Sequence, residues 1–219
     1  ANSSTHRLMI GIGPAKFVNG FFWSANFLMM RSTNEADGAF SLPMDNSNLR
    51  AERGPTATDL HQYFSAFVSR KLVKGFSASA IVNATSGLPY NVTTGFDNNG
   101  DTVFNDRPLG VGRNSARGAG RFEVGSRMSW GKDFGAERKE SGGGMQIKMV
   151  RMGSDGAAPP SLPALSNRRF RLELYAQAFN LFNHTNLSGF SGIQTSPFFG
   201  SATSAQAPRR IELGTRFNF

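Results

Sequence analysis

The sequence contains no cysteine, which excludes a disulfide framework, a thiolate zinc centre and a thiol nucleophile. It has no uninterrupted apolar run near the ~18 residues that a membrane-spanning helix needs, so any crossing of a bilayer must use strands. Tryptophan and tyrosine are scarce, at 2 and 3 copies, whereas phenylalanine reaches 20. With hydrophobic residues at only 39%, this composition suits a sheet that is apolar on one face. Acidic residues are outnumbered 15 to 24, for a formal net charge of +9. The arginines and lysines are nevertheless scattered singly or in pairs, forming neither a long run nor one helical face, which argues against a nucleic-acid partner. The first residues, Ala-Asn-Ser-Ser-Thr, carry no basic and apolar leader, so a mature chain or a fragment is expected.

What is present is a period of two. Leu8, Ile10 and Ile12 alternate with Arg7, Met9 and Gly11 up to a Gly13-Pro14 turn signal. Trp23, Ala25, Phe27 and Met29 then oppose Ser24, Asn26, Leu28 and Met30. Phe64, Ala66, Val68 and Leu72 alternate with Tyr63, Ser65 and Ser69, and Lys74-Gly75 turns the chain into Phe76, Ala78, Ala80, Val82 and Ala84. Further on, Phe122, Val124, Met128 and Trp130 face away from Arg121, Glu123, Arg127 and Ser129, and Phe170 to Ala178 do the same against Arg169, Arg171, Glu173 and Gln177. Ile211, Leu213, Thr215, Phe217 and Phe219 close the series against Glu212, Gly214, Arg216 and Asn218.

Seven strands of ~9 to 15 residues follow, long for soluble strands and matched to the ~9 to 11 residues that cross a bilayer at a tilt. Short turns near 13–18 and 73–75 alternate with long polar loops at 34–57, 93–119 and 187–206, as periplasmic turns and extracellular loops do in outer-membrane barrels. The stretch 135–167 breaks that alternation, and its Gly142-Gly143-Gly144 and Pro159-Pro160 read as a disordered insertion. The expected fold is all-β, an antiparallel up-and-down meander forming part of a transmembrane β-barrel.

The last residues are the most specific motif. Glu212, Gly214, Phe217 and terminal Phe219 resemble the β-signal of outer-membrane proteins, in which the final strand is read by the barrel-assembly machinery. An unpaired edge strand is a template for strand addition, which is the physical sense of such a signal. Ser86-Gly87-Leu88-Pro89-Tyr90, Gly95 to Asp101, Asn105-Asp106-Arg107-Pro108, Asn180 to Asn186, Ser196 to Gly200 and Pro208-Arg209-Arg210 together resemble late barrel strands of Oar-like TonB-dependent receptors, often carrying a carboxypeptidase-regulatory-like domain. The resemblance implies a barrel of about 22 strands around a plugged lumen, in the outer membrane of a Gram-negative bacterium. It further implies contact with lipid and lipopolysaccharide, and ligand uptake or surface binding energised through TonB. No plug or TonB box is recognisable in these residues, so the chain is expected to be the C-terminal segment, residues 1–219, of such a barrel.

Two other readings remain at this level: a self-contained barrel of about 8 strands acting as adhesin or structural protein, and a soluble carbohydrate-binding β-sandwich. Asp97, Asn99 and Asp101, with Gly100 between the last two and Asp106 beyond, have the alternate oxygen ligands of a Ca²⁺ loop. They equally fit an Asn/Gly/Asp turn, because the Glu at the twelfth place is missing. His6, His61 and His184 lie too far apart in sequence for a paired metal site, and no nucleophile elbow or oxyanion glycine pattern appears, so no enzyme activity is expected. Trp23, Trp130, Phe198 and Phe199 are candidates for interfacial girdles, with Pro197-Phe198-Phe199-Gly200 alternatively a ligand-contact patch. Leu174→Arg and Val124→Arg should be costly on the lipid face, and Gln177→Arg mild.

Overall fold

The computed structural model describes residues 2–38, 40–137 and 168–219. Its strands are β1 (Ser3–Ile12), β2 (Phe21–Asn34), β3 (Gly54–Pro55), β4 (Gln62–Lys71), β5 (Phe76–Thr85), β6 (Pro89–Tyr90), β7 (Ala116–Arg117), β8 (Arg121–Glu137), β9 (Arg168–Phe179), β10 (Leu187–Phe190), β11 (Ala202–Ala205) and β12 (Arg210–Asn218). Among the described residues helix is confined to two short 3-10 turns, at Leu49–Glu52 and Val73–Gly75.

The seven long strands form one antiparallel sheet in the order β1-β2-β4-β5-β8-β9-β12, and the two-residue β3 pairs with the end of β2. Successive long strands are always neighbours, so the sheet is the expected up-and-down meander. It does not close on itself: β1 and β12 are its two ends.

All connections on one side are short where described. The β4–β5 turn places Lys74 at φ 56 and Gly75 at φ 84, a left-handed pair that glycine tolerates at no steric cost. A Cβ on Gly75 would also collide with the carbonyl oxygen of Gly131, so the turn packs directly against β8. From the opposite side rise the long loops, 35–61, 86–120 and 180–209. They are more ordered than their composition suggests, for β6 pairs with β7 and β10 with β11 in small hairpins. The expected insertion at 135–167 begins later than supposed: Gly135 to Glu137 still belong to β8, beyond a bulge after Phe134. Its remaining residues lie outside those described.

The register carries the alternation from strand to strand. Directly opposed residues share a face, and the pairs Ile10↔Phe27, Phe27↔Phe64, Phe64↔Ala84 and Ala84↔Phe122 make one apolar row. A second row runs Phe76↔Trp130, Trp130↔Leu174 and Leu174↔Thr215. Among the described residues the only buried hydrophobics are Val124, Ala178 and Phe179, whereas fourteen polar or charged residues are buried. Leu213 is 81% exposed and Arg127 only 7%, the reverse of a water-soluble fold. No second sheet among the described residues covers the apolar face, as a sandwich would require.

On β8 that face extends from Phe122 to Phe134, roughly 40 Å of strand, or about 28 Å of height at a 45° tilt, close to the ~25 Å band of outer-membrane barrels. Aromatics gather at its short-turn end. Trp130 lies in the second row and Trp23, opposite Val68, on the same face, and Phe134, Phe170, Phe217 and Phe219 cluster with neighbouring ring centroids 5.6 to 6.2 Å apart. Phe198 and Phe199 do not join them. They stand in the β10–β11 loop, outside the sheet, because Ser191 bridges to Phe199 and folds that loop onto itself.

Candidate functional site

The opposite face of the sheet is polar and its side chains are extensively paired with one another. Arg127 on β8 donates to Glu173 at 3.0 Å and to Gln177 at 2.9 Å on β9, and Gln177 in turn donates to Glu212 on β12 at 2.6 Å. The Arg127 guanidinium lies 3.8 Å from the centroid of the Tyr175 ring, a contact that shields it from solvent. Gly214 faces the same ring, and a Cβ there would overlap it; the missing side chain is what lets Tyr175 lie flat across β12. Arg171–Asp133 and Arg121–Glu123 add ion pairs on the same face. Charge is thus stored on the side away from the apolar rows, where long side chains cover one another.

Above the sheet, loops 35–61 and 86–120 are tied into one cap. Arg107 grips Glu52 through both terminal nitrogens, at 3.0 and 2.6 Å, with both side chains 4% exposed. Bidentate guanidinium pairs of this kind are among the strongest charge-assisted bonds. Arg113 pairs with Asp37 at 2.5 Å and donates to the Glu52 carbonyl and to Asn34. Asn114 donates to Asp37 and to the Pro55 carbonyl. Arg117 holds Asp59, whose other oxygen accepts the Ser32 N–H at the top of β2.

Burial pushes the Glu52 carboxyl up, but the Arg107 hydrogen bonds, the Met44 N–H and the charges of Arg107 and Arg113 outweigh it. Its pKa falls below the ordinary 4.5. At Asp37 burial likewise acts upward and is overcome by the Ala57 N–H, Asn114, Asn34 and Arg113, leaving it below 3.8. Carboxyls depressed in the folded state stabilise it fully above their ordinary values, and that stabilisation is lost as pH falls through the lowered values. The cap should therefore be intact at neutral pH and loosen below about pH 4. Amide hydrogen exchange over 35–61 and 86–120, corrected for intrinsic rates, should rise there before exchange in the strands does. Equal protection at pH 7 and pH 3 would remove the ion pairs as the cap's fastening.

The residues considered for calcium lie between β6 and β7. Asp97 accepts the N–H groups of Gly100, Asp101 and Thr102, Asp101 accepts that of Val103, and the Asn99 oxygen accepts that of Asp101. Buried Asp106 accepts from Asn98 at 2.5 Å and from Asn99 at 3.3 Å. These oxygens are turned to backbone donors in a chain of Asx turns, and among the described residues no group of three His, Asp or Glu side chains is gathered for a metal ion. The donor set as placed does not fit a cation cage. Of the histidines, His61 sits 3.1 Å from Asp59, His184 packs edge-on against Phe122, and His6 is exposed on β1.

The β-signal residues divide by face as alternation requires. Glu212 and Gly214 pair with Gln177 and Tyr175 on the polar side, and Phe217 pairs with Leu172 on the apolar side. Phe217 and Phe219 are 52% and 83% exposed. Glu52, Arg107, Arg113 and Asp59, by contrast, have no sequence signature as a cap, because each partner is more than fifty residues away; only Asn105 to Pro108 stood out, as a motif.

No curated protein matches the chain. A family model described as an outer membrane beta barrel domain matches residues 14–212. That span runs from the β1–β2 turn into β12 and includes the loop cap. The apolar side turned to solvent, the buried charges opposite it and the matched span all agree, and the chain belongs to the outer membrane beta barrel domain family.

Proposed function

We propose that the protein is part of a TonB-dependent receptor in the outer membrane of a Gram-negative bacterium, which binds ligand at its outer loops for uptake or surface retention and catalyses no reaction. The observation that carries this is the cap. Three ion pairs hold two outer loops in one arrangement, while Phe40, Leu42, Phe96, Phe104 and Leu109 on those loops stand 60% or more exposed. Apolar side chains on a preorganised surface lose little entropy when they meet a ligand. The open edges of β1 and β12 support a larger barrel, since hydrocarbon cannot satisfy unpaired backbone groups and further strands must do so. The same edges weigh against a self-contained barrel made of these seven strands.

These residues contain no cysteine, so single cysteines introduced here can be tested directly in cells producing the full-length protein with any cysteines outside this segment replaced by serine. Phe104→Cys should react with a membrane-impermeant maleimide in intact cells, and Val73→Cys, on the short turn, only after lysis. Co-purification with the periplasmic domain of TonB should accompany this. Reaction of Val73→Cys from outside would invert the topology, and no association with TonB would leave a barrel without the proposed energy coupling.

A further inference from the structure

We infer that the outward face carries a specific site for an anionic glycerophospholipid of the periplasmic leaflet. The site rests on the lipid-facing assignment of the sheet and not on ligand uptake.

Two independent observations meet there. The first is a groove of about 750 Å³ on the apolar face, walled by Phe76, Met128, Trp130, Leu174 and Leu213 around Ala176. A groove of this volume is of the size that holds small ligands, and its lining, apart from Thr215 and short stretches of backbone, offers an acyl chain hydrocarbon to touch. The small side chain of Ala176, between Met128 on β8 and Leu213 on β12, makes the depression. The second observation is charge. At the short-turn end of the groove stand Lys74, in the turn, and Lys132, two residues beyond Trp130 on the same face of β8. Arg70 lies one strand away, opposite Ala78.

The two lysines are brought together by backbone packing. The indole N–H of Trp130 donates to the Lys74 carbonyl at 3.2 Å, and Gly75 lies against Gly131. All three cations are exposed, and the only acidic side chain in the outward rows between β4 and β9 among the described residues is Glu137, beyond the bulge and opposite Arg168. A lysine in a hydrocarbon-facing row is costly unless its ammonium extends to an anion at the interface. Outer-membrane barrels turn their short connections to the periplasm, so that anion is the phosphate of an inner-leaflet phospholipid, with its chain lying along the groove beneath Trp130.

The test is native mass spectrometry of the full-length protein extracted in mild detergent and titrated with phosphatidylglycerol or phosphatidylethanolamine. Wild type should retain phosphatidylglycerol in preference. Lys74→Gln and Lys132→Gln should each weaken that binding about fivefold, leaving phosphatidylethanolamine unaffected. Ala176→Trp, which fills the groove and keeps the charges, should weaken both lipids. None of these changes removes an inward contact, and thermal unfolding in the same detergent checks that each variant folds; if Ala176→Trp does not fold, the lysine variants decide. Unchanged phosphatidylglycerol affinity in both lysine variants, or equal binding of the two lipids by wild type, overturns the site. A lipid-free dimer lost in Ala176→Trp would assign the groove to a second copy and overturn it as well.

Discussion

Replacing Arg127 with methionine should cost about 3–5 kcal/mol of stability, the range for breaking a buried ion pair by removing one partner. Arg127 and Glu173 have side chains only 7% and 9% exposed. The substitution leaves the carboxylate without its cation, Gln177 without a donor and Tyr175 without the guanidinium across its ring. Removing both charges, in Arg127→Met with Glu173→Leu, should recover most of the loss, because no charge is then left buried and unpaired. Urea unfolding of the full-length protein in detergent, followed by the fluorescence of Trp23 and Trp130, measures both variants. A loss below about 1 kcal/mol for Arg127→Met would mean that water reaches Glu173 and that the polar face lines an open lumen at this level.

Leu174→Arg should cost about 2–4 kcal/mol in membrane-assembled protein, as for a cation near the bilayer midplane on the lipid face of a barrel. Leu174 is central on β9, opposite Trp130 on one side and Thr215 on the other, and is 44% exposed with no charged group directly opposite it. Ser65→Arg, on the polar face between Asn26 and Asn83, should cost less than about 1 kcal/mol. Alternation alone makes Gln177→Arg mild too. The structure raises that expectation to about 1 kcal/mol, because the amide oxygen that accepts from Arg127 would be replaced by a second guanidinium. Val124→Arg combines the lipid cost with the loss of one of the few buried apolar side chains. Folding into bilayers against urea ranks these variants. Equal tolerance of Leu174→Arg and Ser65→Arg would be incompatible with hydrocarbon on the outward face.

Strand number and face were legible because they are local. The pleat sends successive side chains to opposite sides, so Phe122, Val124 and Met128 against Arg121, Glu123 and Arg127 declared both the strand and its two environments before any partner was known. The same rule failed at the end of β8. Lys132 in an apolar row, Gly131 and Gly135 on either side of it, and the bulge after Phe134 blurred the period, and the strand continues seven residues past Trp130 to Glu137. For Phe198 and Phe199 apolarity alone left an interfacial girdle and a loop patch both open, and a bridge between Ser191 and Phe199 places them in the β10–β11 loop, outside the sheet.

The alternation, read alone, determined an antiparallel meander with charge on one side and apolar side chains on the other, since a period of two needs only neighbouring residues to express it; it left a barrel wall and a sandwich layer both open, and only the structure shows that no second sheet covers the apolar side among the described residues. Tertiary structure decided which strands are adjacent to the residue, how Arg107 finds Glu52 and Arg113 finds Asp37, and where Lys74 meets Trp130. Those pairings join segments more than fifty residues apart, and no local pattern specifies them; they become favourable only once the sheet has brought the loop ends together and the entropy of closing the loops has been met.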